Sequence, residues 1–229
     1  ETARLVRTED KPWENGRYSL KASHFSRLSS PDGPFDALDI GLTVNDPNAL
    51  KTRLQKRNMS AESAACTEDM SGLSEAPGVC TAVRLVEKTK VRFGRLHLGN
   101  AYGSERLPLK VPVSAQYWNG NAFILNKDDY CTALAAANIA LSTTELGVPT
   151  ISPLLSGGRG SINFAGPGRA GTVDLALHLG ASGASLAKCP LWSPVTAPTA
   201  AERHWLRSQW CKTTHDYDPA ARATFGIPK

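Results

Sequence analysis

Val91 to Thr132 reads VRFGRLHLGNAYGSERLPLKVPVSAQYWNGNAFILNKDDYCT, and its middle alternates cleanly. From Leu107 to Tyr117 the odd positions are Leu107, Leu109, Val111, Val113, Ala115 and Tyr117. The even positions are Pro108, Lys110, Pro112, Ser114 and Gln116. A period of two with one apolar and one polar side predicts a half-buried β-strand, one face on a core and one in solvent. The two prolines fall on the polar side and cannot donate to a ladder, so an edge strand or a bulged strand is expected. Asn119-Gly120 then marks a hairpin turn, because both residues tolerate positive φ. A two-residue loop would set Phe123 opposite Gln116 and Leu125 opposite Ser114, mixing apolar residues onto the polar face. A three-residue loop with Gly120 in a bulge sets Phe123 against Ala115 and Leu125 against Val113. A one-residue slip turns every side chain over, so the second register is the expected one. It leaves Trp118 at the turn, either exposed or folded back over the hairpin as a lid.

Outward from this hairpin, apolar residues recur two apart at Tyr18-Leu20-Ala22, Leu38-Ile40-Leu42-Val44, Val83-Leu85, Ile139-Leu141, Ile162-Phe164 and Val173-Leu175-Leu177-Leu179. Between Val91-Phe93 and Leu96-Leu98 the phase changes, which predicts a β-bulge at Gly94-Arg95. Turn-rich clusters separate these segments, among them Ser29 to Pro34, Ser156-Gly157-Gly158-Arg159-Gly160-Ser161 and Gly166-Pro167-Gly168-Arg169-Ala170-Gly171. The two glycine-rich runs lack the spacing and the strand-then-helix setting of a phosphate cradle, and β-turns account for them. The expected fold is all-β: an antiparallel β-sandwich with one short helix near residues 199–211. That helix would begin at the capping box Thr199-Ala200-Ala201-Glu202 and bury Trp205, Leu206 and Trp210. The small, polar stretch Ser60 to Pro77 suggests an N-terminal β-module over 1–80 and a C-terminal sandwich module over 81–229. A single continuous sandwich is the alternative.

With 229 residues and 41% hydrophobic content the chain can bury a sizeable core. It has no apolar run long enough to span a membrane. Glu1 opens without a signal pattern, as in a mature chain or an excised fragment. The net charge of +5 is scattered, whereas nucleic-acid binding calls for a concentrated basic face. Five cysteines stand at 66, 80, 131, 189 and 211, none in a C-x-x-C pair. Cys66–Cys80 and Cys189–Cys211 are the candidate disulfides, which leaves Cys131 over and implies an oxidising compartment. The rival is five reduced, buried thiols in a cytosolic protein.

Cys211 and His215, with Cys189, have ligand-like spacing but lack a fourth ligand. Calcium candidates are Asn126, Asp128 and Asp129, or Asp216 and Asp218; Asx residues also make turns on their own. Asn58-Met59-Ser60 is a lone sequon. No G-x-S-x-G elbow occurs, and His97 and His178 sit on strand patterns, where a histidine is more often a satisfied sheet residue than a catalyst.

The ordered set formed by Val91 to Thr132, by Pro31-Asp32-Gly33-Pro34-Phe35-Asp36-Ala37-Leu38-Asp39-Ile40-Gly41-Leu42 and by the tail Asp218 to Gly226 resembles the C-terminal region of the MshQ family of MSHA pilus biogenesis proteins. It runs from about Tyr18 to Gly226. The resemblance implies a β-rich surface or pilus-associated module of type IV pilus systems, exported through the periplasm, with no catalytic residues to carry over. It also implies a further aromatic and basic strand after Phe225-Gly226. Here Ile227-Pro228-Lys229 ends the chain, as in a truncated piece or one whose open edge pairs with a partner. The expected function is therefore non-enzymatic: adhesion or pilus assembly through minor pilins, other surface proteins or glycans. Tyr117, Trp118 and Asn119 are the expected ligand-binding residues, an aromatic ring beside an amide being suited to a sugar. The alternatives are a structural spacer that binds minor pilins and a secreted hydrolase with an unadvertised site.

Overall fold

The computed structural model describes residues 4–10, 20–38, 41–42, 83–84, 89–189 and 192–226. Cys66, Cys80, the sequon at Asn58 and the expected boundary at 80/81 lie outside them. Strands run over Leu5–Asp10 (β1), Leu20–Phe25 (β2), Phe35–Leu38 (β3), Gly41–Leu42 (β4), Val83–Arg84 (β5), Thr89–Val91 (β6), Gly94–Leu98 (β7) and Ala101–Gly103 (β8). They continue over Leu109–Trp118 (β9), Phe123–Leu125 (β10), Ile139–Leu141 (β11), Thr150–Ile151 (β12), Arg159–Phe164 (β13), Gly171–Leu177 (β14) and Ala220–Phe225 (β15). The described chain is all-β, as the alternation requires. It divides into two compact units, residues 33–92 and residues 1–32 with 93–229.

In the smaller unit β3 pairs with β6 and β4 with β5, both antiparallel. Arg92 reaches the Asp36 carboxylate at 3.1 Å.

In the larger unit β1 and β2 form an antiparallel ladder. One sheet is built on β9, which pairs with β7 along one side and with β13 and then β10 along the other, while β12 lies outside β13. The second sheet has the order β11-β14-β15-β8, and its β15–β8 pair is parallel. The inner faces of these two sheets make the core. Leu96, Val111, Val113, Ile162 and Phe164 come from the first, and Leu141, Val173, Leu175, Leu177, Ala223 and Phe225 from the second. The Phe164 and Phe225 rings meet edge-on at 5.7 Å across the sandwich. Burial of each large apolar side chain stabilises the fold by about 1.5–3 kcal/mol.

Four expectations need correction. The β9 strand is not an edge. Its register places Gly99 opposite Pro112, where Gly99 donates its amide to the Pro112 carbonyl at 2.9 Å. The missing proline N–H therefore falls just past the last β7 pair, Leu98↔Val113, and leaves only one bond of the ladder unmade. The phase change after Val91 is not a bulge within one strand. It is the point where β6, paired in the smaller unit, gives way to β7, paired in the larger one.

The hairpin register differs from both alternatives. Phe123 pairs with Trp118, Ile124 with Tyr117 and Leu125 with Gln116. Asn119 is the reason: its side-chain oxygen accepts the amides of Asn121 (3.0 Å) and Ala122 (2.9 Å), closing a longer loop over residues 119–122. Gly120 takes the expected positive φ of 102°.

The helix over 199–211 is also absent, and only a 3₁₀ turn at His204–Leu206 forms there. The capping-box sequence is present, but the amides of Ala201, Glu202 and Arg203 donate to the carbonyls of His178, Gly180 and Leu179. Glu202 adopts φ 53°, which a helix does not allow. Leu206 is buried as expected, whereas Trp205 is 46% exposed.

The first glycine-rich run is a tight turn, and the second bends at Gly168 and Arg169. Gly157 and Gly158 both have positive φ, and Ser156 and Arg159 exchange both backbone bonds, the pattern of a two-residue hairpin loop. A side chain at Gly158 would stand 2.2 Å from the Asn126 carbonyl, so only glycine fits.

Candidate functional site

The even side of β9 faces away from the core, yet it is not bare. In register across β7, Arg95 lies opposite Gln116 and His97 opposite Ser114. On the other side Phe123 lies opposite Trp118, their rings 5.4 Å apart. The loop 208–217 comes over this face. It is closed at its neck by Ser208 and Tyr217, which exchange backbone bonds of 3.0 and 3.2 Å. The Cys189–Cys211 disulfide pins its far part, with a Cα separation of 5.9 Å. The expected pair is therefore formed, both thiolates are unavailable for the suggested metal site, and Cys131 is free.

A buried knot anchors the foot of the loop. The fully buried Asp218 carboxylate accepts two bonds from the Arg207 guanidinium (2.8 and 2.9 Å) and the amides of Leu179 and Ala187 (2.9 Å each). His178 is held beside it: its Nε2 donates to the Ala184 carbonyl at 3.0 Å, and its Nδ1 is 3.6 Å from Asp218. Every acceptor position of Asp218 is thus engaged, which rules out the calcium role considered for it.

Held this way, the loop places two rings over the sheet. His215 packs edge-on to Phe93 at 4.9 Å and tilted over Phe123 at 6.3 Å. Trp210 lies 5.5 Å from the His97 ring. Two arginines complete the cluster. Arg27 stacks on Phe93 at 3.8 Å, donates to the Arg207 carbonyl at 2.8 Å and approaches His215 Nδ1 at 3.4 Å. Arg95 lies over Phe123 at 3.9 Å and against Trp210 at 4.8 Å, and its Nε donates to Gln116 Oε1 at 2.8 Å. Guanidinium–ring contacts of this kind contribute roughly 0.5–2 kcal/mol each.

The electrostatics are one-sided. Burial lowers the Arg27 pKa to about 10, against the pull of Asp216 and Asp32. Burial also lowers that of Arg95. His215 falls to about 4, through burial first and then through Arg27 and Arg95, so it is neutral at physiological pH. Its Nδ1 faces the donors Arg27 and Ser208, which assigns the proton to Nε2. That Nε2, the Trp210 Nε1 and the Arg27 Nε are buried without a hydrogen-bond partner among the described residues. Neither Arg27 nor Arg95 makes an ion pair among the described residues.

Beside this cluster opens a cleft of ≈ 280 Å³, lined by His97, Leu98, Gly99, Asn100, Trp210, Pro219 and Ala220. It offers an indole, an imidazole and an amide on a rigid frame. Burial and the nearby Arg95 lower the His97 pKa and favour the neutral ring. Asn100 is itself fixed, its side-chain oxygen accepting the Arg222 amide at 2.9 Å.

The expected binding residues separate. Trp118 is half-buried against Phe123 on the cluster side, Tyr117 pairs with Ile124 on the opposite side, and the Asn119 side-chain oxygen is engaged by its own loop. Of the calcium candidates, Asp129 is buried, with Oδ1 accepting the Cys131 and Thr132 amides and Oδ2 the Thr132 hydroxyl at 2.7 Å. It closes a turn beside Asn126 and the exposed Asp128. Among the described residues no three His, Cys, Asp or Glu side chains are grouped to hold a metal ion. Nor is any described helix long and apolar enough to cross a membrane. The sequence does not bring Arg27, Arg95, Trp210 and His215 together: it offers His215 as a metal ligand beside Cys211 and Trp210 as a helix residue. The spacing of Phe93, Arg95 and His97, each two apart, was the available signal that they share a face.

No curated protein and no solved structure matches the chain. A family model described as DUF6701, fourth domain, matches residues 92–229, and its start coincides with the boundary between the two compact units. The match takes in the sandwich, the pinned loop and the cleft, and the chain belongs to this family.

Proposed function

We propose that this chain is a non-enzymatic module of an exported, pilus-linked surface protein, and that it works by binding a glycan in the cleft beside Trp210. The observation that carries the reading is the lining of that cleft, with Trp210, His97 and Asn100 around ≈ 280 Å³. An indole stacks on the apolar face of a sugar ring, and imidazole and amide groups bond its hydroxyls. The volume lies just below the usual range of roughly 300–1,000 Å³ for ligand pockets, so it suits one small unit of a longer chain. Disulfide anchoring of the residue next to Trp210 lowers the entropy lost on binding. The disulfide also supports passage through an oxidising compartment, and the resemblance to the MshQ family supports the pilus setting.

Binding to minor pilins or other surface proteins is the second reading, favoured by Tyr102, which is 67% exposed on the strand at the end of the second sheet. A glycan array beside a pull-down against minor pilins separates the two. Trp210→Ala is expected to abolish glycan capture with little change in Tm, while Trp118→Ala weakens it less. Full capture by Trp210→Ala, or capture of pilins alone, overturns the glycan reading.

A further inference from the structure

We propose that the saccharide taken by this cleft is acidic, and that its carboxylate is met by Arg95. The proposal rests on the glycan reading above and deepens it. Arg95 stands two residues before His97 on the same face of β7, and its guanidinium lies against the Trp210 ring that lines the cleft. Its only hydrogen bond is from Nε to the neutral Gln116 amide, so both Nη groups have no acceptor among the described residues.

Arg207 shows what the fold does when a guanidinium is structural: it receives a two-pronged carboxylate from Asp218. Arg222 likewise receives both oxygens of Asp174, at 2.8 and 3.2 Å. Arg95 is half-buried between two rings with no carboxylate partner among the described residues. Desolvating a cation without an opposite charge is unfavourable, and the guanidinium fork matches a carboxylate in geometry. Arg27, also without an ion pair among the described residues, adds positive potential from the other face of Phe93, and neutral His97 leaves the cleft wall able to bond hydroxyls. An acid-bearing sugar answers the ring, the amide and the open fork together. A neutral sugar leaves the fork unmet, and an acidic peptide leaves the flat indole without a matching face.

The test is calorimetric titration of the full chain with uronic- and sialic-acid oligosaccharides, each as the free acid and as its methyl ester. The acids are expected to bind at least tenfold tighter than their esters. Arg95→Gln is expected to bring the acid down to the affinity of the ester without changing the ester, and Arg95→Lys to retain part of the preference. Circular dichroism melting of both variants keeps a folding defect distinct from a binding one. Equal affinity for acid and ester, or a preference that survives in Arg95→Gln, overturns the inference and leaves the glycan reading standing. If no oligosaccharide binds in either form, both fall. A glutamate-rich peptide that binds where the sugars fail assigns the cleft to a protein partner.

Discussion

The two sides of β9 use one strand to opposite ends. Its odd side, with Leu109, Val111, Val113 and Ala115, is dry and meets the facing sheet. Its even side carries Ser114, Gln116 and Trp118 into a layer of rings and guanidinium groups held in place by a distant loop. The inner side depends on volume and apolar area. The outer side depends on charge, ring geometry and one covalent staple. A polar stripe in an alternating strand therefore need not face water; it can be the floor of a second, cationic layer.

Neighbouring residues on β7 set the two sides against each other most sharply. Leu96 is fully buried in the core, and Leu96→Ala is expected to destabilise the protein by about 2–5 kcal/mol. Arg95→Ala, one position away on the other side, should lose about 1 kcal/mol of ring contact. Denaturant titration measures both. If Arg95→Ala proves as damaging as Leu96→Ala, the outer layer is a true second core and the contrast fails.

The staple comes next in size. Replacing Cys189 and Cys211 together with serine opens a link between residues 22 apart and is expected to lose about 2–4 kcal/mol. Tryptophan emission should shift to the red as Trp210 leaves the sheet. Lost stability without any change in emission would show that the loop holds its place through the Asp218 knot alone.

A third comparison comes from pH. Folding lowers the His215 pKa from 6.5 to about 4, so between these values the unfolded chain takes up a proton that the folded chain refuses. Stability should thus fall as pH drops below about 6.5 and level off near pH 4, and Tm should fall with it. In His215→Gln this part of the pH profile should flatten. A profile unchanged by that substitution would mean that His215 reaches solvent and that the outer layer is looser than the inner one.

The inner side was legible in the sequence and the outer side largely was not. Period-two runs located β9, β11, β13 and β14, because a strand buried on one face must alternate whatever it packs against. Cys189 and Cys211 could be paired from their loop-rich flanks. The hairpin register is hidden because the even face of β9 reads as solvent-facing in the sequence. Once Phe93, Arg95 and His215 cover that face, Phe123 loses nothing by lying there. The outer layer joins residues far apart in the chain, such as Arg27 and His215, 188 positions apart, and no local pattern reports such a meeting. The helix over 199–211 was misread for a related reason. Its capping box was real as a sequence, but the carbonyls of His178, Leu179 and Gly180 were stronger claimants for its amides.

The parallel pairing of β15 with β8 has a consequence for how the molecule comes into being. β15 occupies an interior place in its sheet, and it reaches β8 across a wide span of chain, with Arg222 bonded to Asn100 over 122 residues. Until residues 220–225 arrive, β14 and β8 have no common neighbour and Phe164 has no ring to meet. A chain emerging amino-end first therefore leaves this sheet unclosed until residues 220–225 are made. Topologies with such distant contacts fold slowly and expose sticky strand edges meanwhile. That delay is written into the strand order itself, because no local pairing can stand in for the contact between β15 and β8.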